Sequence, residues 1–229
     1  MDAQGVSRES NVTERCPNEC HWTQREPATM PEQTISYTIG ERLYLNITDR
    51  CTLRCAFCPK HNGSHSVHDY DLTLDHRPTQ QEILAAIDQP ARYREVVFCG
   101  FGEPTLRLKV LLETSRHIRA GGGRVRVNTD GLANLVHKRD VLPEMASCID
   151  ALSVSMNAQD PDVYDRHCRP TLAGSYGAML DFLGRAPRHI TEVSASAIDG
   201  LDGVDIASCA RIADRLGVQF RRRELDIVG

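Results

Sequence analysis

Residues 43–61 read LYLNITDRCTLRCAFCPKH, and this stretch decides which fold the chain is expected to adopt. Its first part, LYLNIT (43–48), predicts a β-strand. The loop directly after this strand carries Cys51, Cys55 and Cys58 in the spacing C-x3-C-x2-C. Because functional groups concentrate on loops that a rigid scaffold positions, the sequence predicts a thiol site at the end of a first strand.

Outward from this stretch, short strand-like segments alternate with amphipathic segments. The predicted strands are 43–48, 94–100, 124–129, 150–157, 190–198 and 218–224. The predicted helices are 79–88 with Thr79 as N-cap, 106–121, 140–148, 160–168, 175–186 and 204–217. This alternation is typical of parallel βαβ units with right-handed crossovers.

Six such units are too few for a closed eight-stranded barrel, and no Gly-rich dinucleotide-binding turn follows the first strand. We therefore expect an α/β fold, an open, partial (β/α)6 TIM-like barrel. By analogy with full barrels, its chemistry is expected at the carboxyl ends of the strands.

The composition is that of a soluble globular protein, since 41% of the 229 residues are hydrophobic and 25% are charged. No stretch approaches the roughly 18 apolar residues of a membrane span. The formal net charge of −4 provides no global basic field to attract nucleic acid. Collagen-like, disordered, transmembrane and small disulfide-framework proteins are excluded, and neither a membrane nor a nucleic-acid partner is expected.

The first residues of the chain differ from the rest. Residues 1–35 are polar and include three prolines, which predicts a flexible N-terminal tail ahead of a core domain over 36–229. The start of the chain lacks the apolar core of a secretory signal, which predicts a cytoplasmic protein. Cys16, Cys20 and His21 are too few ligands for a second cluster and are expected to belong to the tail.

Nine cysteines, an odd number without an export signal, indicate a reducing compartment. Clustered thiols in such a compartment point to metal or redox chemistry rather than to disulfides. Cys99, Cys148 and Cys209 have apolar neighbours in the sequence and are predicted to be small buried hydrophobes.

The three clustered cysteines leave two interpretations. Three thiolates on a [4Fe–4S] cluster leave one iron free to bind a ligand, whereas ferredoxin clusters use four cysteines. Alternatively, His61 completes a four-ligand zinc site in an interaction module, because structural zinc needs a closed tetrahedral shell.

The motif also carries a resemblance. C-x3-C-x-aromatic-C, with Phe57 as the aromatic residue, resembles the signature of the radical S-adenosylmethionine (SAM) superfamily. FCGFGEPTLR (98–107), VRVNTDGLAN (125–134) and LSVSMNAQDPDVYDRHCRP (152–170) resemble the strand ends of a short subgroup, the TatD-associated radical SAM proteins. The resemblance covers about residues 40–224.

The resemblance implies a [4Fe–4S] cluster held by Cys51, Cys55 and Cys58, with SAM chelated at the open iron. It implies reductive cleavage of SAM to a 5′-deoxyadenosyl radical that abstracts hydrogen from a substrate. A one-electron donor such as flavodoxin or ferredoxin is then required. Relatives act on proteins or on small heterocycles, and the sequence leaves both substrate classes open.

The resemblance also implies residues that contact SAM. They follow the strands and offer backbone groups, hydroxyls and amides: Phe57, Gly100, Phe101, Gly102, Glu103, Asn128, Ser153, Ser155 and Asn157. Family members often carry two successive glycines before the glutamate, whereas Phe101 intervenes here. Without the cluster motif, GFGEP (100–104) and NTDG (128–131) would also be ordinary turns.

Other polar features have ordinary explanations. The histidine-rich loop 61–76 is expected to be a solvated loop, although substrate contact is the alternative. Arg169 either binds an anionic substrate or complements the C-terminus of a helix. The arginines of 221–223 are expected to protect an edge strand from aggregation, with phosphate or partner binding as the alternative.

Overall fold

The computed structural model describes residues 33–225. The strands are β1 (Ser36–Ile39), β2 (Arg42–Leu45), β3 (Ser66–Val67), β4 (Tyr70–Asp71), β5 (Glu95–Phe98), β6 (Val125–Thr129), β7 (Ala151–Ser155), β8 (Glu192–Asp199) and β9 (Gln219–Glu224). The helices are α1 (Gln80–Ala85), α2 (Leu108–Ala120), α3 (Ala133–His137), α4 (Leu142–Ala146), α5 (Pro161–Cys168), α6 (Ser175–Arg185) and α7 (Ile206–Arg215).

In the described part of the chain, seven strands form one sheet in the order β1-β2-β5-β6-β7-β8-β9. The six strands from β2 to β9 are parallel, which confirms the six predicted strands and the α/β class. Strand β1 pairs antiparallel with β2, and the small hairpin β3–β4 follows the cysteine loop. Neither addition was predicted, because two to four residues are too few to show a periodic pattern.

The sheet curls without closing. Strands β1 and β9 are its two edges, yet Tyr37 of β1 and Arg221 of β9 line the same cavity. A flat sheet of seven strands would hold these residues far apart, since neighbouring strands lie about 4.8 Å apart. The curvature therefore produces the open, partial barrel that the strand count predicts.

The two faces of the sheet differ in polarity because side chains alternate along each strand. Val96, Phe98, Val127 and Val154 point toward the helices and are fully buried. Their intervening neighbours, such as Asn128, line the cavity on the concave face. Each buried apolar side chain contributes about 1.5–3 kcal/mol, so the convex face stabilises the fold and the concave face remains available for chemistry.

Side-chain caps begin several helices, and the cap at Thr79 is the one that the sequence predicts. Thr79 forms a capping box with Glu82 at the start of α1, and Asp160 and Asp205 cap α5 and α7. Helix α1 ends at Ala85, three residues before its predicted end, because Pro90 and the left-handed Gln89 lead into the next strand. The short helix α3 was not predicted.

Most of the predicted tail, residues 1–35, lies outside the described residues, as do Cys16, Cys20 and His21. The tail and the boundary at 36 therefore remain predictions. Within residues 33–225, no helix is long and apolar enough to cross a membrane.

Candidate functional site

A cavity of about 690 Å³ occupies the concave face of the sheet. This volume is within the range of small-molecule sites, about 300–1,000 Å³. All twelve residues that the sequence assigns to the site line it: Cys51, Cys55, Phe57, Cys58, Gly100, Phe101, Gly102, Glu103, Asn128, Ser153, Ser155 and Asn157. Ser194 and Ser196 of β8 line it as well, on one face of their strand.

The cysteine loop is held from two sides. On one side the backbone N–H of Arg54 donates to the carbonyl of Cys168 at 3.0 Å, and that of Ala56 donates to His167 at 2.8 Å. On the other side the N–H of Glu103 donates to the carbonyl of Arg50 at 2.7 Å. These bonds fix the loop against the end of α5 and the segment after β5, so the thiols keep a defined position at the cavity.

Protein surroundings disfavour the thiolate form of all three cysteines. Burial is the main cause of the raised pKa of Cys51 and of Cys58. For Cys55, a hydrogen bond with the Cys168 thiol is the main cause, followed by burial. The three thiols therefore carry protons in the metal-free chain, and metal binding must displace them.

The carboxylate of Glu103 is buried, with 4% of the residue exposed, and neighbouring donors surround it. It accepts hydrogen bonds from the N–H and hydroxyl of Thr105, from the hydroxyl of Thr129 and from the N–H of Asp130, at 2.6–2.9 Å. Burial, and next the charge of Asp130, raise the pKa of Glu103. With so many donors supplied by the protein, the carboxylate is suited to orienting the segment after β5.

Asp130 connects β6 to the cysteine loop. One of its carboxylate oxygens accepts a hydrogen bond from the hydroxyl of Thr52, the neighbour of Cys51, and the other accepts from the N–H of Leu132. Burial raises its pKa. The interpretation of NTDG as a chain reversal overlooks this contact, which sequence reasoning could not find because Thr52 and Asp130 are 78 residues apart.

The glycines after β5 allow this segment to approach the strand–loop connection before the cysteines. A Cβ atom on Gly102 would overlap the carbonyl oxygen of Thr48 and lie 2.7 Å from that of Arg50. A Cβ atom on Gly100 would overlap the side-chain oxygen of Asn46. Glycine is thus required for packing between two protein segments, in addition to any approach of a ligand.

Asn157 lies at the end of β7 in an unusual conformation, with a φ of +62°. Its side-chain oxygen accepts from the Arg223 guanidinium at 2.9 Å, and its Nδ2 lies 3.5 Å from the Cys168 sulfur. Cys168 is fully buried and hydrogen-bonds Cys55. A chain of polar contacts therefore runs from β9 through Asn157 to one of the clustered cysteines. A left-handed non-glycine residue of this kind is more common at functional sites.

Two buried polar atoms at the cavity have no protein partner among the described residues: the side-chain oxygen of Asn128 and the Nε of Arg223. Unpartnered buried atoms are costly and usually mark a place where a ligand or water binds. One is an acceptor and the other a donor, so the cavity is suited to a ligand with both kinds of group.

The opposite, amino-terminal ends of the strands carry an ion-pair network. Glu95 accepts two hydrogen bonds from Arg126, both 2.8 Å, and one from Arg42 at 3.3 Å. The hydrogen bond from Arg126 is the main cause that lowers the pKa of Glu95 to about 2. Arg42 and Arg126 also line the cavity, and Glu95 and Glu192 pair with them there.

The structure corrects the interpretation of Cys99 and bears on that of Arg169. Cys99 is not enclosed in the apolar core as Cys148 and Cys209 are; it is partly exposed and lines the cavity, because it belongs to the concave face. Arg169 is the left-handed C-cap of α5 and does not line the cavity, which favours the helix-terminus alternative.

For the arginines of β9, the sequence favours edge protection and leaves phosphate or partner binding as the alternative, and the structure places the three side chains differently. Arg221 and Arg223 line the cavity, whereas Arg222 points outward and pairs with Asp199 at 2.5 Å. Alternation along the strand was visible in the sequence, but which face is concave depends on how the sheet curls. In the histidine-rich loop, His65 contacts the ring of Phe101 edge-on, with the ring centres 6.1 Å apart.

The donor set is suited to an iron–sulfur cube rather than to one ion. Within residues 33–225, no three His, Cys, Asp or Glu side chains gather as a single metal ion would require. The zinc alternative with Cys51, Cys55, Cys58 and His61 therefore gains no support, and His61 does not line the cavity. A [4Fe–4S] cube takes each thiolate at a different iron, which matches spaced thiols along one loop that face a common cavity.

Comparison with protein families agrees with this geometry. The model of the radical SAM superfamily matches residues 45–216. The chain belongs to the radical SAM superfamily. This confirms the superfamily resemblance, whereas the narrower resemblance to the TatD-associated subgroup stays a prediction.

The chain is also similar to individual curated proteins. GTP 3′,8-cyclase of Corynebacterium glutamicum (strain R) is 26% identical over 196 residues, covering 80% of this chain and 48% of the relative. GTP 3′,8-cyclase of Limosilactobacillus fermentum is 32% identical over 158 residues, covering 66% of this chain and 44% of the relative. The chain thus spans about half the length of the curated relatives it matches.

A solved structure shares the fold. The crystal structure of Streptococcus suis SuiB bound to SAM superposes with a TM-score of 0.61 at 12% identity, covering 83% of this chain and 42% of that chain. This likeness confirms the partial-barrel architecture. The predicted cofactors, a [4Fe–4S] cluster and SAM, are those that enzymes of the superfamily bind.

Proposed function

We propose that this protein is a cytoplasmic radical SAM enzyme whose [4Fe–4S] cluster is held by Cys51, Cys55 and Cys58. The proposal is supported above all by the convergence of the three cysteines and the nine predicted SAM contacts on a single cavity. When bound, the cluster and SAM supply an electron and a 5′-deoxyadenosyl radical for hydrogen abstraction. A flavodoxin or ferredoxin delivers that electron.

The chain's own residues bind, orient and shield the cofactors in this proposal. Phe57 packs against the core and lines the cavity. Gly100, Phe101 and Gly102 line the cavity, and their backbone groups would hold the methionine part of SAM. Glu103 fixes that segment through the hydrogen bonds from Thr105 and Asp130.

The ribose and the carboxylate of SAM are assigned to the ends of β6 and β7. Asn128, Ser153 and Ser155 present one amide and two hydroxyls to the cavity, and Asn157 adds a second amide. The unpartnered oxygen of Asn128 is an acceptor that a ribose hydroxyl would satisfy.

Anaerobic reconstitution with iron and sulfide tests the proposal. We expect a brown protein with about four irons and four sulfides per chain, and release of 5′-deoxyadenosine from SAM with dithionite. A colourless protein that binds one zinc ion per chain and leaves SAM intact would contradict it and support the zinc module.

A further inference from the structure

Cys168 is a cysteine outside the three-cysteine motif that lies beside one of its members. It ends α5 and is fully buried. The backbone N–H of Arg54 donates to the carbonyl of Cys168 at 3.0 Å. The N–H of Ala56 donates to the carbonyl of His167 at 2.8 Å. Because these two bonds flank Cys55, they hold its backbone against the end of α5, and its thiol hydrogen-bonds that of Cys168.

The hydrogen bonds of Asn157 fix the direction in which its amide faces. The guanidinium of Arg223 carries only donors, and it donates to Oδ1 of Asn157 at 2.9 Å. The amide therefore turns its Nδ2 away from Arg223, and this nitrogen lies 3.5 Å from the sulfur of Cys168. The backbone N–H of Asn157 donates to the carbonyl of Ser196 at 3.0 Å, so the backbone and the side chain of this residue are both held.

These contacts determine which of the two thiols donates to the other. The sulfur of Cys168 accepts from Nδ2 of Asn157, so its own S–H proton is left for Cys55. A cysteine that binds iron is a thiolate, which accepts hydrogen bonds and has no proton to donate. With Cys55 as a ligand, the hydrogen bond therefore runs in one direction, from Cys168 to Cys55.

Helix α5 offers a second donor on the same face. Tyr164 lies one turn before Cys168, and residues four apart on a helix are neighbours. Its side chain is fully buried, and its hydroxyl has no hydrogen-bond partner within residues 33–225. An unpartnered buried hydroxyl is costly, and an anionic group beside this face of α5 would give it an acceptor. This face is thus suited to a neighbour that becomes negatively charged.

We propose that Cys168 is a positioning residue that donates a hydrogen bond to the iron-binding sulfur of Cys55 and thereby raises the reduction potential of the cluster. This inference rests on the proposed function, because it requires Cys55 to bind the cluster. Hydrogen bonds to the sulfurs are among the factors that set the potential of iron–sulfur clusters. A donor stabilises the negative charge that one added electron brings. Cys168 keeps its proton, and no covalent bond forms or breaks at it.

Redox titration of the anaerobically reconstituted protein without SAM, with dithionite as reductant and electron paramagnetic resonance as readout, tests the proposal. We expect Cys168→Ala to bind as much iron as the wild type but to be reduced at a more negative potential. The loss of one hydrogen bond to a charged group should change the reduction equilibrium about tenfold, or about 59 mV for one electron. Cys168→Ser keeps a donor of similar size, so its potential should be that of the wild type or higher.

Cys209→Ala is the matched control, because Cys209 is also a buried helix cysteine but lies on α7, and its potential should equal that of the wild type. An unchanged potential in Cys168→Ala, or an equal shift in Cys209→Ala, would overturn the proposal. A more negative potential in Cys168→Ser would also overturn it, since packing rather than the donor would then set the potential. Failure of the proposed function would appear differently, as a wild-type protein that assembles no [4Fe–4S] cluster.

Discussion

Two glutamates at opposite ends of one strand show how the barrel divides its tasks. Glu95 begins β5 and Glu103 follows it, and each is 4% exposed. Arginines neutralise Glu95 and lower its pKa, whereas hydroxyls and backbone N–H groups surround Glu103, whose pKa burial raises. At the amino ends of the strands, the charge of Glu95 is therefore compensated by arginines. At the carboxyl ends, Glu103 is buried among neutral hydrogen-bond donors and has no cationic partner among the described residues.

This difference shows that the polar contacts at the amino ends of the strands stabilise the fold, whereas those at the carboxyl ends position the cysteine loop. In an ion pair such as Arg126–Glu95 the two charges compensate each other, so no ligand is needed to neutralise them. The Glu103–Asp130 pair instead ties the segments after β5 and β6 to the loop that carries the cysteines. In barrels of this type, carboxyl ends hold the chemistry and amino ends hold the structure.

Removal of one cysteine should abolish cluster binding at the carboxyl ends of the strands. We expect Cys55→Ala to lose the reconstituted cluster and 5′-deoxyadenosine release, because three thiolates are the minimum that the proposal allows. Iron content and absorption measure the loss. Cys209→Ala is the control, since that thiol is buried on α7 away from the cavity. A Cys55→Ala protein with full iron content would remove this residue from the site.

The glycine after Phe101 offers the next largest effect. We expect Gly102→Ala to lower cluster occupancy and 5′-deoxyadenosine release by about tenfold, because the added Cβ overlaps the backbone of Thr48 before the cysteine loop. A displacement of this kind in a packed segment costs about 1–3 kcal/mol. Iron content per folded chain separates a damaged site from a damaged fold. Unchanged occupancy would show that the two segments do not need their close packing.

Whether the sequence could predict a feature of the site depends on how far apart in the sequence the interacting residues are. Glu103 was found because it stands between Gly102 and Pro104 after a strand, which is a local signal. Glu95 was not, since its partners Arg42 and Arg126 are 53 and 31 residues away. Ser153 and Ser155 are two residues apart on one strand, so their shared face follows from a local pattern. The inward direction of the β9 arginines could not be predicted, because curvature is a property of the whole sheet.

Glu103→Gln should alter how stability depends on pH. The pKa of Glu103 is raised in the folded chain, so the folded state holds its proton while the unfolded state releases it above about pH 4.5. Wild-type stability therefore falls as pH rises above that value. At pH 5 we expect the free energy of unfolding of the variant to be about 3 kcal/mol lower than that of the wild type, because the glutamine leaves hydrogen-bond donors unsatisfied. The difference between the two proteins should narrow toward pH 8. Thermal melting across this range measures it, and a constant gap would contradict the raised pKa.

Glu95→Gln should show the opposite dependence at the amino end. The pKa of Glu95 is lowered to about 2, so its ionised form stabilises the fold above about pH 4.5 and is lost as pH falls toward 2. At pH 7 we expect the free energy of unfolding of the variant to be about 2 kcal/mol lower than that of the wild type. This difference should disappear as pH falls from 4.5 to 2. Cluster content at pH 7 should remain that of the wild type. A loss of cluster in a folded variant would show that the two ends are not separate.

A glycine substitution away from both ends of the strands serves as a control for Gly102→Ala. Gly177 lies in the first turn of α6, is exposed, and has no atom within 4 Å of the position that a Cβ would take. We expect Gly177→Ala to stabilise the fold by up to about 1 kcal/mol, because glycine is the poorer helix former. Cluster content and 5′-deoxyadenosine release should not change. Denaturant unfolding measures the gain. If Gly177→Ala lowered cluster content as Gly102→Ala does, the effect at Gly102 would reflect glycine replacement in general rather than its contact with Thr48.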